Sequence, residues 1–121
     1  MKLWIDDVRP APEDEGYIWC KSVNEAESAV LAYEMYIDGS LDEFDFEWLD
    51  YIGVNDAGTI DLLDVDHDAG DFACDGGDYI RLLDWLEETG RNYPIRIHSA
   101  NPVGVQNMRR IIQKNGWKEV F

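Results

Sequence analysis

Three short apolar runs, each closed by a polar cluster and then by turn residues, constrain the fold of this chain more than any other feature. They are KLWIDD before VRP, LLDVDHD before AG, and IRIHS before ANP. Runs of this length bounded by turn signals read as buried strands. As neighbouring parallel strands, they would bring all three polar clusters to one edge of a sheet. Open α/β sheets place ligand sites there, outside the carboxyl ends of the strands. The chain's only histidines, His67 and His98, would then face Asp6, Asp7 and Arg9 across one pocket.

The segments between the runs support this arrangement. Residues 2–6 read as a strand, and VRPAPEDEG, with two prolines and a glycine, as a loop rather than a helix. Residues 17–21 form a second strand. Ser22 with Glu25 has capping-box spacing, and Val23, Ala26, Val30, Tyr33 and Ile37 follow at close to helical period up to Gly39. Phe44, Phe46 and Trp48 alternate with acids, which fits an extended segment or a short helix, and Asn55, Asp56 and Gly58 mark a turn. Residues 60–66 read as a central strand, and 67–77 as a loop. Asp78 to Glu88 is an amphipathic helix closed by Gly90. IRIHS is a fourth strand, ANPVG a loop, VQNMRRIIQKNG a helix and WKEVF a final strand. Alternating strands and helices predict an α/β fold, with a mainly parallel five-stranded sheet in a three-layer sandwich. At 121 residues, 1–121 is expected to be one domain.

Composition narrows the function classes. The two cysteines, Cys20 and Cys74, lack metal-site spacing and suit reduced thiols. No run of about 18 apolar residues and no leader-like apolar stretch occurs, so a cytoplasmic protein without a membrane partner is expected. The net charge of -16 repels nucleic-acid backbones and anionic membranes, and a broad nucleic-acid-binding face is not expected. The acids are spread along the chain, as on a solvated surface. The alternative is an acidic decoy for a basic partner, such as a phage or other mobile element carries.

The clusters carry chemistry of their own. Asp6 and Asp7 at a strand end suit a magnesium ion, or else they cap a turn. Asp64, Asp66 and Asp68 are spaced by two, so on an extended strand they share a face, where His67 can supply a proton to the repelling carboxylates. After His98, the hydroxyl of Ser99 and the amide of Asn101 suit a phosphate or carbonyl oxygen. Asn101-Pro102 is a candidate for a cis bond, and the helix beyond favours an anion at its start. Two histidines on opposite sides of a phosphate suit general acid and general base catalysis, with Arg9, Ser99 or a metal stabilising phosphoryl oxygens. Trp4, Trp19, Trp85 and Trp117 read as packing residues rather than base-stacking platforms. Arg109, Arg110 and Lys114 read as a solvated helix face, while Lys118 can reach the site edge.

The stretches KLWIDDVRPAP, LDVDHDAGD, GGDYIRLLDWLEE and PIRIHSANPVGVQNM together resemble the receiver-like domains named for predicted cyclic-phosphate processing. The resemblance implies strand order 2-1-3-4-5, with the first helix replaced by a loop, the last helix missing, and residues 38–59 longer than the family usually needs. It implies that Asp6, Asp7 and Asp66 hold magnesium, that Ser99 is the hydroxyl residue after the fourth strand, and that His67 and His98 carry the activity. The expected function is a phosphoesterase that opens a cyclic phosphate on a nucleotide-like or ADP-ribose-like substrate, with Arg9, Ser99 and Asn101 on the phosphate. The alternatives are a non-catalytic module that binds a phosphorylated ligand or a partner protein, and a receiver phosphorylated at Asp66.

Overall fold

A computed structural model of the chain describes residues 1–13, 15–38 and 60–121. Strands β1 (Lys2–Ile5), β2 (Tyr17–Cys20), β3 (Leu62–Val65), β4 (Ile95–Ile97) and β5 (Glu119–Val120) form one sheet in the order β2-β1-β3-β4-β5, with neighbours parallel. Helices α1 (Val23–Asp38), α2 (Ile80–Glu88) and α3 (Pro102–Asn115) fill the crossovers, with a 3-10 turn at Gly70–Cys74. The order and the parallel pairing are those expected of a receiver-like α/β domain. Phe44, Phe46, Trp48 and all of the expected long insertion except Asp38 lie outside the described residues.

Strand register sorts the side chains into two unlike faces. Trp4 pairs with Trp19 and Asp64, and Asp64 pairs with Arg96, so these residues share one face with Lys2 and Tyr17. The other face carries Leu3, Ile5, Cys20, Leu63, Val65 and Ile95. That face packs against Val23, Ala26, Val30 and Tyr33 of α1, Leu82, Leu83 and Leu86 of α2, and Met108 and Ile112 of α3 in one buried core. Handedness explains the asymmetry. Right-handed crossovers from β2 to β3, β3 to β4 and β4 to β5 all pass on the same side of the sheet. Only the β1–β2 connection belongs to the opposite side, and there the loop stands in for a helix. Trp4 Nε1 donates to the carbonyl of Arg9 at 2.7 Å, which ties that loop down over the polar face. Of the three expected layers, one side is therefore filled by three helices. The other is filled, among the described residues, by a loop.

Local chemistry sets the helix starts. Ser22 Oγ accepts from the Glu25 N–H at 3.0 Å and donates to Asp75 Oδ2 at 2.6 Å, so the cap of α1 is tied to the loop after β3. Helix α3 begins at Pro102, three residues before the expected start. Asn101 is its N-cap, accepting from Gly104 N–H at 3.0 Å, and Pro102 is preset for the first helical position. The expected loop ANPVG is thus mostly the first turn of a helix, and the candidate cis bond at Asn101-Pro102 is trans.

The core makes a direct prediction about the two thiols. Cys20 is buried, and burial together with the charge of Glu25 pushes its thiol up to about 12, whereas Cys74 is exposed. A thiol-reactive disulfide reagent at pH 8 should titrate Cys74 at once and Cys20 only after denaturation. Fast reaction of both in the native protein would contradict this packing.

Candidate functional site

The carboxyl ends of β1, β3 and β4 deliver their polar clusters to one edge, as the parallel register requires. Backbone hydrogen bonds hold the ends in step: Asp66 N–H donates to Ile5 O at 2.9 Å, and His98 N–H to Val65 O at 2.9 Å. Asp6, Asp7 and Asp66 each offer a carboxylate oxygen within 4.8 Å of the others. Such a set of hard oxygen donors fits a divalent cation such as magnesium. Asp66 Oδ1 also accepts from the His67 N–H at 2.8 Å.

Asp6 and Asp7 are adjacent in sequence but differ in environment. Asp6 is 2% exposed, and its Oδ1 accepts from the N–H groups of Val8 at 3.1 Å and Arg9 at 3.0 Å. Burial pushes its carboxyl up, but the Arg9 N–H, His98 and the Val8 N–H together outweigh that and hold Asp6 below the ordinary carboxylate range. Asp7 is raised instead, first by burial and then by the charge of Asp6 beside it. Gly70 makes room for it. At φ +54°, a Cβ there would lie 2.4 Å from Asp7 Oδ2.

His98 is enclosed between two carboxylates. Its Nδ1 meets Asp64 Oδ1 at 2.6 Å and its Nε2 meets Asp6 Oδ2 at 2.9 Å. Its ring stacks on Trp4 with centroids 3.8 Å apart and planes 8° apart. The side chain is only 9% exposed. Both contacts are donations only when the ring is an imidazolium. Asp64, fully buried, also accepts from Tyr17 Oη at 2.8 Å and lies 4.0 Å from Arg96 Nη1. Asp64, Tyr17 and Trp4 are therefore part of the constellation; Asp64 was expected to share a face with Asp66 and Asp68 beside His67 but meets His98 instead, and Tyr17 and Trp4 were not among the expected site residues. A signal for Asp64 was present. It is a carboxylate inside an otherwise apolar strand, two residues before Asp66, and such a group needs a buried partner.

His67 is placed differently. Its Nδ1 lies 2.8 Å from Asp68 Oδ1, and Asn101 Nδ2 approaches the same nitrogen at 3.4 Å. With Nδ1 donating to Asp68, the neutral ring keeps its lone pair on Nε2, which has no hydrogen-bond partner among the described residues. The first turn of α3 packs flat on the ring, since a Cβ on Gly104 would fall 2.4 Å from His67 Cγ. The structure thus joins His98 to Asp6 and Asp64, and His67 and Asn101 to Asp68.

The three expected phosphate-binding residues are spread around this edge. Arg9 is exposed and contributes its backbone to the turn around Asp6. Ser99 Oγ accepts from the Asn101 N–H at 3.1 Å, which leaves its hydroxyl hydrogen for another acceptor. Asn101 spends its side-chain oxygen on capping α3, so only its amide hydrogens face the site.

Removing the imidazole of His98 leaves two buried carboxylates without their shared partner. His98→Ala should cost about 3–5 kcal/mol in urea unfolding, against less than about 1 kcal/mol for His67→Ala, which strips no buried charge of its partner. Gly104→Ala should cost about 1–3 kcal/mol by overpacking the His67 ring, visible as a shift of the His67 imidazole proton resonances. Equal losses for the two histidine variants would show that the Asp6–His98–Asp64 bridge contributes nothing.

No curated protein and no solved structure matches the chain. A family model described as the cyclic-phosphate processing receiver domain matches residues 1–114, a span that runs from β1 to the last turn of α3 and takes in every residue of the constellation described above. The chain belongs to the family of cyclic-phosphate processing receiver domains.

Proposed function

We propose that the carboxylate edge binds a cyclic phosphate of a nucleotide-like or ADP-ribose-like molecule and opens it to a phosphomonoester. The carrying observation is the convergence of Asp6, Asp7 and Asp66 within 4.8 Å, with His67 anchored beside Asp66 by its own backbone. Three carboxylates repel an anionic substrate, so the reading requires a divalent cation on them. When bound, that ion supplies positive charge to the phosphoryl oxygens.

Ring opening needs a water oxygen to bond to phosphorus and one phosphorus–ring oxygen bond to break. The water proton goes to a base, and the departing oxygen takes up a proton. His67 is the residue we assign to proton transfer, because its Nε2 lone pair has no partner among the described residues while Asp68 fixes the tautomer through Nδ1. His98 acts at the same centre by orienting Asp6 and offsetting its charge, with both ring nitrogens already engaged. Ser99 Oγ and the Asn101 amide supply hydrogen-bond donors for phosphate oxygens, and Arg9 supplies an exposed cation at the rim. That engagement of His98 also favours a second reading, in which the domain holds the cyclic phosphate without turning it over.

The deciding experiment is a phosphorus NMR time course with magnesium, using nucleoside 2′,3′-cyclic phosphates and ADP-ribose cyclic phosphate. Conversion to a monoester that disappears in His67→Ala supports catalysis. Saturable line broadening without product supports binding alone, and silence throughout overturns both readings. Isothermal titration with Mg²⁺ or Mn²⁺ tests the cation separately. Asp66→Asn should weaken binding at least about tenfold. Gly70→Ala should weaken it too, although it removes no ligand, because its methyl displaces the Asp7 carboxylate. Unchanged metal affinity in both variants would rule out this site.

A further inference from the structure

We propose that the polar face of the sheet beside the carboxylate edge is a binding strip for the last nucleotides of a single-stranded RNA whose terminal cyclic phosphate enters the site. This rests on the cyclic-phosphate reading above and names its substrate class. The first observation is the distribution of cations. On the helical side, Arg91 pairs with Glu34, Arg109 with Glu119, Lys114 with Glu87 and Arg81 with Asp84. On the polar sheet face Arg96 lies 4.0 Å from Asp64 Oδ2, and Arg110 of α3 pairs with no carboxylate among the described residues, so the contrast rests on two lysines and Arg9. Among the described residues, Lys2 and Lys21 have no carboxylate partner, and neither does Arg9 near the start of the covering loop.

The second observation is what those two lysines do instead. Lys2 Nζ lies 4.5 Å from the Tyr17 ring centroid, and Lys21 Nζ lies 4.7 Å from that of Trp19. Tyr17 and Trp19 alternate along β2, so they line one face, and Lys21 follows just beyond the strand's end. Neither ring is buried, and no described helix crosses this side of the sheet. Each ammonium lies over the face of its ring, so a base stacks there once the lysine swings aside to the phosphate, and the arrangement is repeated once. The lysine stems are flexible enough to swing the ammonium from ring to phosphate.

The third observation joins the strip to the site. Trp19 Nε1 donates to the carbonyl of Asp6 at 2.7 Å, so the first aromatic step abuts the carboxylate triad. The net charge of -16 opposes a broad nucleic-acid interface, but screening over about 8 Å leaves a strip this narrow governed by its own cations.

The test compares a nucleoside 2′,3′-cyclic phosphate with a trinucleotide RNA ending in the same group and with its 3′-hydroxyl counterpart, each titrated with Mg²⁺ present. Tryptophan fluorescence and calorimetry report binding. The cyclic trinucleotide should bind at least about tenfold tighter than the mononucleotide. Its affinity should fall with salt by a log–log slope steeper by about 0.7 for each added phosphate contact. Lys2→Glu with Lys21→Glu should return both quantities to the mononucleotide level, with circular dichroism confirming the fold. No gain from mononucleotide to trinucleotide overturns the strip while leaving the cyclic-phosphate reading intact. Equal binding of the 3′-hydroxyl RNA overturns its link to the site, and displacement by a poly-glutamate peptide at equal charge identifies an unselective anion surface and overturns the RNA assignment. Failure of the mononucleotide itself, in binding and conversion, counts against the underlying reading instead.

Discussion

The bridge from Asp64 through His98 to Asp6 is the constraint on which the rest of the edge depends. Each carboxylate sits on or just beyond a different strand, and the ring between them arrives from a third. Taking a carboxylate out of water costs several kcal/mol unless a charge or donors offset it. Here one imidazole serves two buried acids while Trp4 covers its face. Asp6 carries the effect outward: its other oxygen gathers the Val8 and Arg9 N–H groups, and the Arg9 carbonyl closes back on Trp4. The loop that replaces a helix is thus pinned by the same group that belongs to the carboxylate triad.

That economy follows from the topology. Three right-handed crossovers on one side leave the other side of the sheet to a short connection. A fully apolar face there would lack a cover among the described residues. The chain places Lys2, Tyr17, Trp19, Asp64 and Arg96 on it instead, with Tyr17 Oη donating to Asp64 and Trp19 Nε1 to the Asp6 carbonyl. Among the described residues, no buried side-chain nitrogen or oxygen lacks a partner. Amphipathic rings suit such a surface because they cover backbone while keeping a polar edge.

Much of this was legible in the sequence. The strand ends IDD, VDHD and IHS marked the edge, and the alternation of elements gave the parallel sheet. The capping box at Ser22 and the proline loop after β1 were read from side-chain chemistry that acts locally. One missed feature is local: Asn101 followed by Pro102 is an N-cap and first-position signal that outranks the loop-like ANPVG, and it commits the Asn101 oxygen to capping α3 rather than to a ligand. The other missed features depend on distance in space. The two histidines look equivalent in sequence, each after an apolar run. Their different fates come from strand parity, which sends His98 onto the Trp4 face between Asp6 and Asp64, and from Gly104, which lets α3 close on His67. The sandwich was expected to have three layers because α/β alternation normally implies helices on both faces. Which faces they occupy follows only once the order 2-1-3-4-5 is combined with crossover handedness.

The electrostatics of the edge decide what kind of ligand it can accept. Asp6 is held ionised by its donors, while Asp7 is pushed the other way by burial and by Asp6. Two neighbouring carboxyls driven apart in this manner cannot both be fully charged at little cost unless a cation joins them. An anionic substrate meets the same barrier from outside. On the proposed reading, one divalent ion would resolve both problems at once, relieving the repulsion within the triad and reversing the sign that a phosphate meets. His98 cannot substitute for it, since its two nitrogens are committed and its ring is covered. Affinity for phosphate at this edge should therefore be governed by cation occupancy rather than by the protein's own basic residues, with the lysines of the adjacent face acting on the part of the ligand that lies beyond the triad.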